Sequence, residues 1–323
     1  MSHIARQIDQ YLPVGLPSLD DPQKVLPAIA KDVKLVRRIQ EAVSHVPTSH
    51  DVHHGDARLM ELHDESVHLI VTSPPYWTLK KYNDGEGQLG HVADYQQFVG
   101  ELEKVWRQCY DSLVPGGRLV CVVGDVCLSR RRNNGRHTVV PLHASIQESC
   151  RTIGFDNLAP IIWHKIANAQ YESGSNGSSF LGKPYEPNAV IKNDIEFILM
   201  QRKPGGYRSP SIATRIMSVI SDAQHKAWFQ QIWSGLNGAS TRHHPAPYPL
   251  EVAERLIRMF SFVGDTVLDP FLGTGTTTIA AMLNGRNSIG YEIDEKYVAR
   301  ACAAIEKSKS MFQPVEVNVH GRT

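Results

Sequence analysis

The sequence predicts an α/β protein with a mixed, mostly parallel sheet and helices on both faces. The run SVHLIV at 66–71 has the Val and Ile content of a buried strand, and two prolines after it end that strand. A second apolar run at 266–269 leads through a glycine-rich turn into a helical pattern at 279–284. Another strand is predicted at 287–294. Open sheets built from such units bind ligands at the carboxyl ends of their strands.

The segment TSPPYW at 72–77 places rigid hydrogen-bond acceptors at the end of the first predicted strand. Pro74 and Pro75 fix an extended turn, so the carbonyl groups of Ser73 and Pro74 cannot both pair within a sheet. Tyr76 adds an aromatic ring beside them. An ordinary proline turn has the same pattern, so this segment alone does not distinguish a site from a turn.

The segment DPFLGTGTT at 269–277 has the pattern of a ligand-binding turn. Gly273 and Gly275 carry no Cβ atom, so a ligand can approach the backbone at the start of the following helix. The next predicted strand carries a carboxylate, Glu292, at the position where such folds hold ribose hydroxyl groups.

Together these segments resemble the DNA amino-methyltransferases, which methylate an exocyclic amine with S-adenosylmethionine. TSPPY is similar to their catalytic motif with its preceding residue, and DPFLGTGTT is similar to their cofactor loop. The catalytic motif precedes the cofactor loop here, which is the permuted order of the β class. The resemblance spans residues 52–307 and implies a Rossmann-like methyltransferase fold with an inserted target-recognition region.

The resemblance also implies which residues form the site. Asp56, at the end of the short strand predicted at 52–56, is expected to accept a hydrogen bond from the cofactor's adenine amino group. The same residue is equally suited to cap a helix. An HPxP-like element at 244–247 is expected to line the methionine end of the cofactor. The expected catalytic residues are Ser73, Pro74, Pro75 and Tyr76. The expected cofactor-binding residues are Asp56, Thr72, His244, Pro245, Asp269, Pro270, Phe271, Gly273, Gly275, Thr276, Glu292 and Ile293.

The chemistry of an exocyclic amine fits the first segment. The lone pair of such an amine is delocalised into the base, and hydrogen-bond acceptors at Ser73 and Pro74 would favour a pyramidal, nucleophilic nitrogen. The base must leave the duplex stack to reach them, and Tyr76 would stack on it. Methylation at carbon 5 would need a cysteine nucleophile, typically after a proline, and none of the five cysteines follows a proline.

Ser73 favours cytosine N4 over adenine N6 as the target, because serine at this position accompanies the cytosine-N4 enzymes of the family that the chain resembles. Adenine N6 remains the first alternative. An RNA or protein amide methyltransferase and a DNA-binding relative without catalytic activity are more remote alternatives. Against the latter, Phe271, Gly273, Gly275 and Glu292 are all present.

A net charge of +1 means that any DNA-binding charge must be concentrated locally. The loop SRRRNNGRH at 129–137 is the strongest candidate, followed by the polar loop at 80–90 and a basic stretch at 202–231. Solvated surface positions are the alternative explanation of these charges. The residues expected to contact DNA are Lys80, Lys81, Arg130, Arg131, Arg132, Arg136, Arg202, Lys203 and Arg208.

Residues 1–48 are interpreted as an N-terminal accessory segment with a helix at 26–43, and residues 49–323 as the catalytic domain. Further helices are predicted at 95–113, 139–150 and 250–262, and further strands at 118–124, 160–164 and 194–201. The target-recognition region is expected within 166–239, where 167–193 is long and irregular.

The expected cofactor is S-adenosylmethionine, and the expected macromolecular partner is double-stranded DNA. The resemblance also points to a homodimer and to a companion restriction endonuclease acting on the same site. The single cysteines and the histidine spacing predict no metal site. The N-terminus lacks a signal-peptide core and no apolar run reaches membrane-spanning length, so a cytoplasmic protein of a prokaryote or phage is expected.

Overall fold

The computed structural model describes residues 8–17, 21–77, 87–165, 193–236, 248–310 and 313–321. Its strands are β1 Thr48–His54, β2 Val67–Thr72, β3 Leu113–Val123, β4 Val126–Leu128, β5 Thr138–Val140, β6 Asp156–His164, β7 Ile195–Arg202, β8 Ile232–Trp233, β9 Thr266–Asp269, β10 Asn287–Glu292 and β11 Val315–His320. Its helices are α1 Pro22–Lys31, α2 Val33–Val43, α3 Tyr95–Ser112, α4 Leu142–Ile153, α5 Ile212–Met217, α6 Asp222–Trp228, α7 Leu250–Phe260, α8 Thr276–Leu283 and α9 Glu295–Ser308.

Nine of these strands form one sheet in the order β11-β1-β10-β9-β2-β3-β7-β6-β8, and β4 pairs with β5 in a separate hairpin. Within the described residues the sheet pairings are parallel except for those of β7 with β3 and β6. This arrangement confirms the predicted mixed, mostly parallel sheet. The predicted strand at 266–269 has the bounds of β9, and β2 begins and ends one residue later than the run at 66–71.

The central strands are buried on both faces. In β3, Leu119, Cys121 and Val123 pack on one side with α3 and α4, while Val120 and Val122 pack on the other with α7 and α8. This two-residue alternation is the side-chain period of a strand. It explains why residues 119–123 of β3 form a continuous apolar run. Helices therefore cover both faces of the sheet, as predicted.

The single helix predicted at 26–43 is wrong, because the structure has two helices that meet at Asp32. The carboxylate of Asp32 accepts hydrogen bonds of 3.0 Å from the backbone N–H groups of Lys34 and Leu35, which caps α2 and breaks the helical path. Pro27 lies inside α1. The helical spacing was read correctly, but the capping function of Asp32 was missed.

The N-terminal segment does not form a core of its own. Ile29 and Ile39 are each 1% exposed, and they belong to one apolar cluster with Ile216, Met217 and Val263. The segment therefore shares its core with α5 and with the turn before β9.

One other helix starts later than predicted. Val139 and Val140 pair with β4 in the hairpin, so the helix predicted at 139–150 begins at Leu142. Within the ranges that the structure describes, no helix is both long and apolar enough to cross a membrane.

Replacing Ile39 tests whether the N-terminal segment stabilises the fold. Ile39→Ala is expected to lower the free energy of unfolding by about 2–5 kcal/mol, because it leaves a cavity in the shared cluster. Val33 lies in the same helix and is 78% exposed. Val33→Ala should change the free energy by less than about 0.5 kcal/mol. Urea unfolding of both variants measures the difference, and equal effects would show that the segment contributes little to stability.

Candidate active site

The two motifs meet in one cleft at the carboxyl ends of β1, β2, β9 and β10. The cleft contains about 650 Å³ of space that is partly open to solvent. Ser73 and Pro75 contribute one part of its wall, and Pro270, Phe271 and Gly273 contribute another. Its lining residues are Gly55, Asp56, Ala57, Ser73, Pro75, Gly87, Gln88, Leu89, Pro270, Phe271, Gly273, Tyr291, Glu292, Ile293 and Tyr297.

A buried carboxylate, Asp269, fixes the two motifs relative to each other. The hydroxyl of Thr72 donates a 2.7 Å hydrogen bond to its Oδ1, and the hydroxyl of Thr277 donates a 2.6 Å bond to its Oδ2. The backbone N–H of Phe271 donates to Oδ1 at 3.0 Å. Burial raises the pKa of Asp269, and these hydrogen bonds act in the opposite direction. The end of β2 is thus tied to the end of β9 and to the start of α8.

This network gives two of the predicted cofactor-binding residues a protein partner. Thr72 and Asp269 are 0% and 2% exposed, and their side chains bind each other rather than facing the cleft. Both side chains therefore hold the ends of β2 and β9 in position. Gly275 and Thr276 also lie outside the cleft lining. Gly275 has a φ of +84° at the start of α8, a conformation that favours glycine.

Glu292 presents a carboxylate to the cleft from the end of β10. Its Oε2 accepts a 2.9 Å hydrogen bond from the Gly273 N–H, and its Oε1 accepts one of 2.9 Å from the Asp294 N–H. Burial raises the pKa of Glu292 to about 7, despite these two hydrogen bonds. The side chain is therefore held in one orientation against the glycine turn, with lone pairs left for ligand hydroxyl groups.

Asp56 lies at the cleft but already has a strong protein partner. The Arg58 Nε donates to both carboxylate oxygens of Asp56, at 2.9 and 3.0 Å. Asp56 also caps the short 3₁₀ turn Ala57–Leu59, which is the alternative that the sequence left open. Burial alone would raise the pKa of Asp56, but the hydrogen bonds from Arg58 lower it overall.

Sequence reasoning missed Arg58, which joins three parts of this region. Its guanidinium forms ion pairs with Asp56 and with Glu101 of α3, and it donates to the carbonyl oxygen of Gly87. A single basic residue two positions after a capping aspartate was the only local signal. The partner Glu101 is distant in sequence and became apparent only in the fold.

The predicted catalytic residues Ser73, Pro74 and Tyr76 differ in how far they are exposed to the cleft. Ser73 is half-buried and lines the cleft, whereas Pro74 is buried and does not line it. Tyr76 is 5% exposed, and its hydroxyl lies 3.3 Å from the Ser73 hydroxyl and 3.5 Å from the Val122 carbonyl oxygen. A base stacked on this ring would therefore require the ring or its neighbours to move.

The arginine-rich loop lies at the same edge of the sheet. The β4–β5 hairpin begins directly after the carboxyl end of β3, and its loop exposes Arg130, Arg131 and Arg136. Arg132 is the last residue of the 3₁₀ turn in this loop. The predicted site residues Lys80, Lys81, His244 and Pro245 lie outside the described residues, as does most of 166–193.

Arg202, Lys203 and Arg208, which are also predicted to contact DNA, do not lie at this edge. Because β7 is antiparallel to β3, Arg202 lies opposite Arg118, towards the amino ends of the parallel strands. Each of the three side chains also has a protein partner. Arg202 binds Asp156 at 2.7 Å, Lys203 donates to the Leu113 carbonyl at 2.8 Å, and Arg208 forms two bonds with Asp265 at 2.6 and 2.7 Å.

Comparison with known proteins decides the family. Residues 67–304 match the family model of the N6/N4 methyltransferases, described as DNA methylase. The chain belongs to this DNA methylase family. The type II methyltransferase M.MjaI of Methanocaldococcus jannaschii is 38% identical over 282 residues, which cover 77% of this chain and 89% of that protein.

Solved structures of DNA methylases share the fold. A Thermus thermophilus protein described as a putative DNA modification methylase, in complex with S-adenosyl-L-methionine, has a TM-score of 0.68 and 50% identity, covering 83% of this chain and 98% of its own. The PvuII DNA methyltransferase, described as cytosine-N4-specific, has a TM-score of 0.55 and 18% identity, covering 84% of this chain and 96% of its own. The latter likeness concerns the fold alone.

Removing the Asp269 carboxylate tests the network that joins the motifs. Asp269→Ala leaves the donors of Thr72, Thr277 and Phe271 without this acceptor, and is expected to cost about 3–5 kcal/mol of unfolding free energy. Asp64 is exposed, so Asp64→Ala is the matched control with an expected change below about 0.5 kcal/mol. Chemical denaturation measures both. A loss below about 1 kcal/mol in Asp269→Ala would contradict the role assigned to the network.

Proposed function

We propose that this DNA methylase transfers a methyl group from S-adenosyl-L-methionine to the exocyclic N4 of a cytosine flipped out of double-stranded DNA. The observation that carries the proposal is the single cleft that contains Ser73 of the SPPY motif together with Gly273 and Glu292 of the cofactor-type turn. A transfer reaction needs both partners within reach of each other, and one cleft meets that requirement.

The residues of the cleft fit S-adenosyl-L-methionine chemically. Pro270, Phe271 and Ile293 offer apolar contact for an adenine ring, and Glu292 offers acceptors for ribose hydroxyl groups. Asp56 offers lone pairs for the adenine amino group on the carboxylate that Arg58 orients. Gly273 has no Cβ to obstruct the approach. His244 and Pro245 are proposed for the methionine end on the family resemblance. When bound, this cofactor supplies an activated methyl group on a sulfonium.

Ser73 and Pro74 are assigned to hold and activate the exocyclic amine of the target base. The Ser73 hydroxyl oxygen and the Pro74 carbonyl oxygen accept hydrogen bonds from the two amino hydrogens, which draws the nitrogen out of conjugation with the ring. Ser73 carries no charge, so it orients the amine without acting as a strong base. The donor is cationic and the amine neutral, so transfer moves the positive charge from sulfur to nitrogen, and the methylated nitrogen then releases one proton to solvent. Because charge is moved rather than created, positioning supplies much of the rate.

Tyr76 is assigned to the extruded base. Its hydroxyl lies next to that of Ser73, so its ring is close to where the amine must be held. Stacking of a base on an aromatic ring contributes about 1–3 kcal/mol. Since the ring is 5% exposed, base entry is coupled to a local rearrangement around Tyr76.

The DNA is proposed to approach from the edge that carries the arginine-rich hairpin. Arg130, Arg131 and Arg136 are exposed there, at the same carboxyl edge of the sheet as Ser73. Their charge would bind phosphates without reading sequence. Lys80, Lys81 and a target-recognition region within 166–239 are proposed on the family resemblance, as is a homodimer. The type II description of M.MjaI supports a companion restriction endonuclease for this chain.

The choice of cytosine N4 rests on Ser73, and adenine N6 is the second candidate. DNA from cells that express the protein is expected to contain N4-methylcytosine, measured by complete hydrolysis to nucleosides and mass spectrometry. Cells with Ser73→Ala should accumulate much less of it. N6-methyladenine as the product would overturn the choice of base while leaving the methylase activity intact.

Separate changes at Glu292 and Tyr76 should affect different steps. Glu292→Ala is expected to weaken cofactor binding at least tenfold, with turnover at saturating cofactor changed only a few-fold. Tyr76→Ala is expected to lower turnover about ten- to a hundredfold with cofactor affinity unchanged, since it removes the base-stacking ring. Tyr76→Phe keeps the ring and serves as the matched control. Calorimetry and single-turnover methylation measure the two quantities.

The pH dependence of cofactor binding gives a second readout for Glu292. Its ionised form is the better acceptor, and its pKa lies at about 7 before a ligand binds. Affinity should therefore rise between about pH 6 and pH 8 in the unmodified protein, and this rise should disappear in Glu292→Ala. Equal losses of cofactor affinity and of turnover in Glu292→Ala and in Tyr76→Ala would show that the cofactor role of Glu292 and the base-stacking role of Tyr76 are misassigned.

A further inference from the structure

A second cavity opens at the opposite edge of the sheet, near the amino ends of β2 and β3. It contains about 1080 Å³ of space that is partly open to solvent. Its walls come from the turn before Arg118, from the loop around Tyr207 and from the last turn of α7. This cavity is separate from the candidate active site, which lies at the carboxyl ends of the same strands.

The described lining of this cavity is basic and contains no acidic side chain. Arg118, Arg208, Arg258 and His68 line it, and no Asp or Glu is among its described lining residues. Arg208 is neutralised by its two bonds to Asp265. In the part of the chain that the structure describes, no carboxylate lies within 4.0 Å of the guanidinium groups of Arg118 or Arg258. Two cations in the wall therefore lack a carboxylate in direct contact.

Aromatic and amide contacts hold these two guanidinium groups in place. Arg118 lies over the ring of Phe260, with its Cζ 4.6 Å from the ring centroid. Arg258 donates a 3.0 Å hydrogen bond to Gln224 and lies 5.0 Å over the ring of Trp228. Burial is the main cause that lowers the pKa of both arginines. Both remain protonated at neutral pH, because arginine loses its proton only far above that range.

More distant charges act on the two guanidinium groups in opposite directions. The charge of Arg202 lowers the pKa of Arg118 further, and that of Glu254 partly offsets the effect of burial on Arg258. Glu254 does not line the cavity. Among the described residues no carboxylate contacts either guanidinium directly, so an anion inside the cavity would supply that contact.

Two of the loops that form the cavity wall approach each other closely at Gly116. Gly116 has a φ of +78°, and a Cβ there would lie 2.8 Å from the carbonyl oxygen of Gly206. The two loops can approach this closely only because residue 116 is glycine. On the other side, the fully buried Arg286 donates to the hydroxyl and the carbonyl oxygen of Ser261, at 3.1 and 2.8 Å. The wall segments next to the two cavity arginines are therefore held by a close backbone contact and by hydrogen bonds.

We propose that this cavity binds a phosphate group through Arg118 and Arg258. Partly buried cations without a counter-charge in contact are costly, and an oxyanion between them offsets that cost. The planar guanidinium fork matches phosphate oxygens in a bidentate arrangement. The phosphate can come from a free phosphorylated molecule or from the backbone of DNA. The proposal does not depend on the target base or on the chemistry of the first cleft.

Titration calorimetry of the full chain with inorganic pyrophosphate at low ionic strength tests the site. One saturable site per chain is expected. Arg118→Gln and Arg258→Gln should each weaken it at least tenfold, while Arg118→Lys, which keeps the charge, should lose less than Arg118→Gln. Arg151 is exposed on α4 and paired with Glu148, so Arg151→Gln is the matched control and should bind within about twofold of the unmodified protein.

A second arm identifies the source of the phosphate. Anisotropy of a labelled short DNA duplex is measured for the same variants over a range of salt concentrations. If the phosphate belongs to DNA, the duplex binds more weakly and the slope of log K against log[salt] falls by about one per arginine. If it belongs to a free molecule, duplex binding is unchanged while pyrophosphate binding is lost.

Two outcomes would overturn the proposal. One is the absence of saturable pyrophosphate binding in the unmodified protein. The other is pyrophosphate binding that Arg118→Gln and Arg258→Gln leave intact although both are folded by circular dichroism, since binding would then occur elsewhere. If one of the two glutamine variants does not fold, the other decides.

Discussion

The hydrogen bonds of one buried carboxylate hold the candidate active site together. Asp269 ends the strand that leads into the glycine turn, and it accepts from Thr72 at the end of the strand that leads into SPPY. The two motifs are far apart in sequence, so their apposition depends on parallel pairing of β2 with β9 and on this contact. Thr277 extends the link to α8, whose first turn follows the glycines. The hydrogen bonds to Asp269 thus fix the orientation of the SPPY turn relative to the glycine turn, which strand pairing alone would only place side by side.

The elements that the sequence predicted best are those with a strong local signal. The run at 66–71 and the run at 266–269 are apolar, short and followed by proline, so both their type and their ends were visible. The glycine turn and the carboxylate of Glu292 follow at spacings that specify one supersecondary unit. These local features were sufficient to predict that Ser73 and Gly273 lie at one edge of the sheet, and in the structure both line the same cleft.

The sequence did not reveal the partners of several side chains, because a local pattern does not show which distant residues meet in the fold. Arg202 and Arg208 looked available for DNA, yet an antiparallel strand carries them to the other edge of the sheet and to carboxylate partners. Thr72 and Asp269 belong to the right motifs, but their side chains point into the core and bind each other. Asp32 breaks a helix whose apolar spacing continues on both sides. In each case the deciding interaction was capping or pairing rather than periodicity.

The two edges of the sheet differ in their charge chemistry. The carboxyl edge has a cleft with carboxylates at Asp56 and Glu292, and the adjacent hairpin exposes arginines. The amino edge has a cavity in which Arg118 and Arg258 have no carboxylate in contact among the described residues. A net charge of +1 thus conceals local concentrations of both signs. The first edge matches a hydroxyl- and amine-bearing ligand, and the second matches an oxyanion.

The most direct test of the central claim is a crystal structure of the protein with a non-reactive cofactor analogue. The account predicts that the ligand contacts Gly273 and Glu292 at one end and lies beside Ser73 at the other, with the bonds of Thr72 and Thr277 to Asp269 retained. A ligand bound elsewhere, or bound in the cleft with Ser73 out of contact, would contradict it.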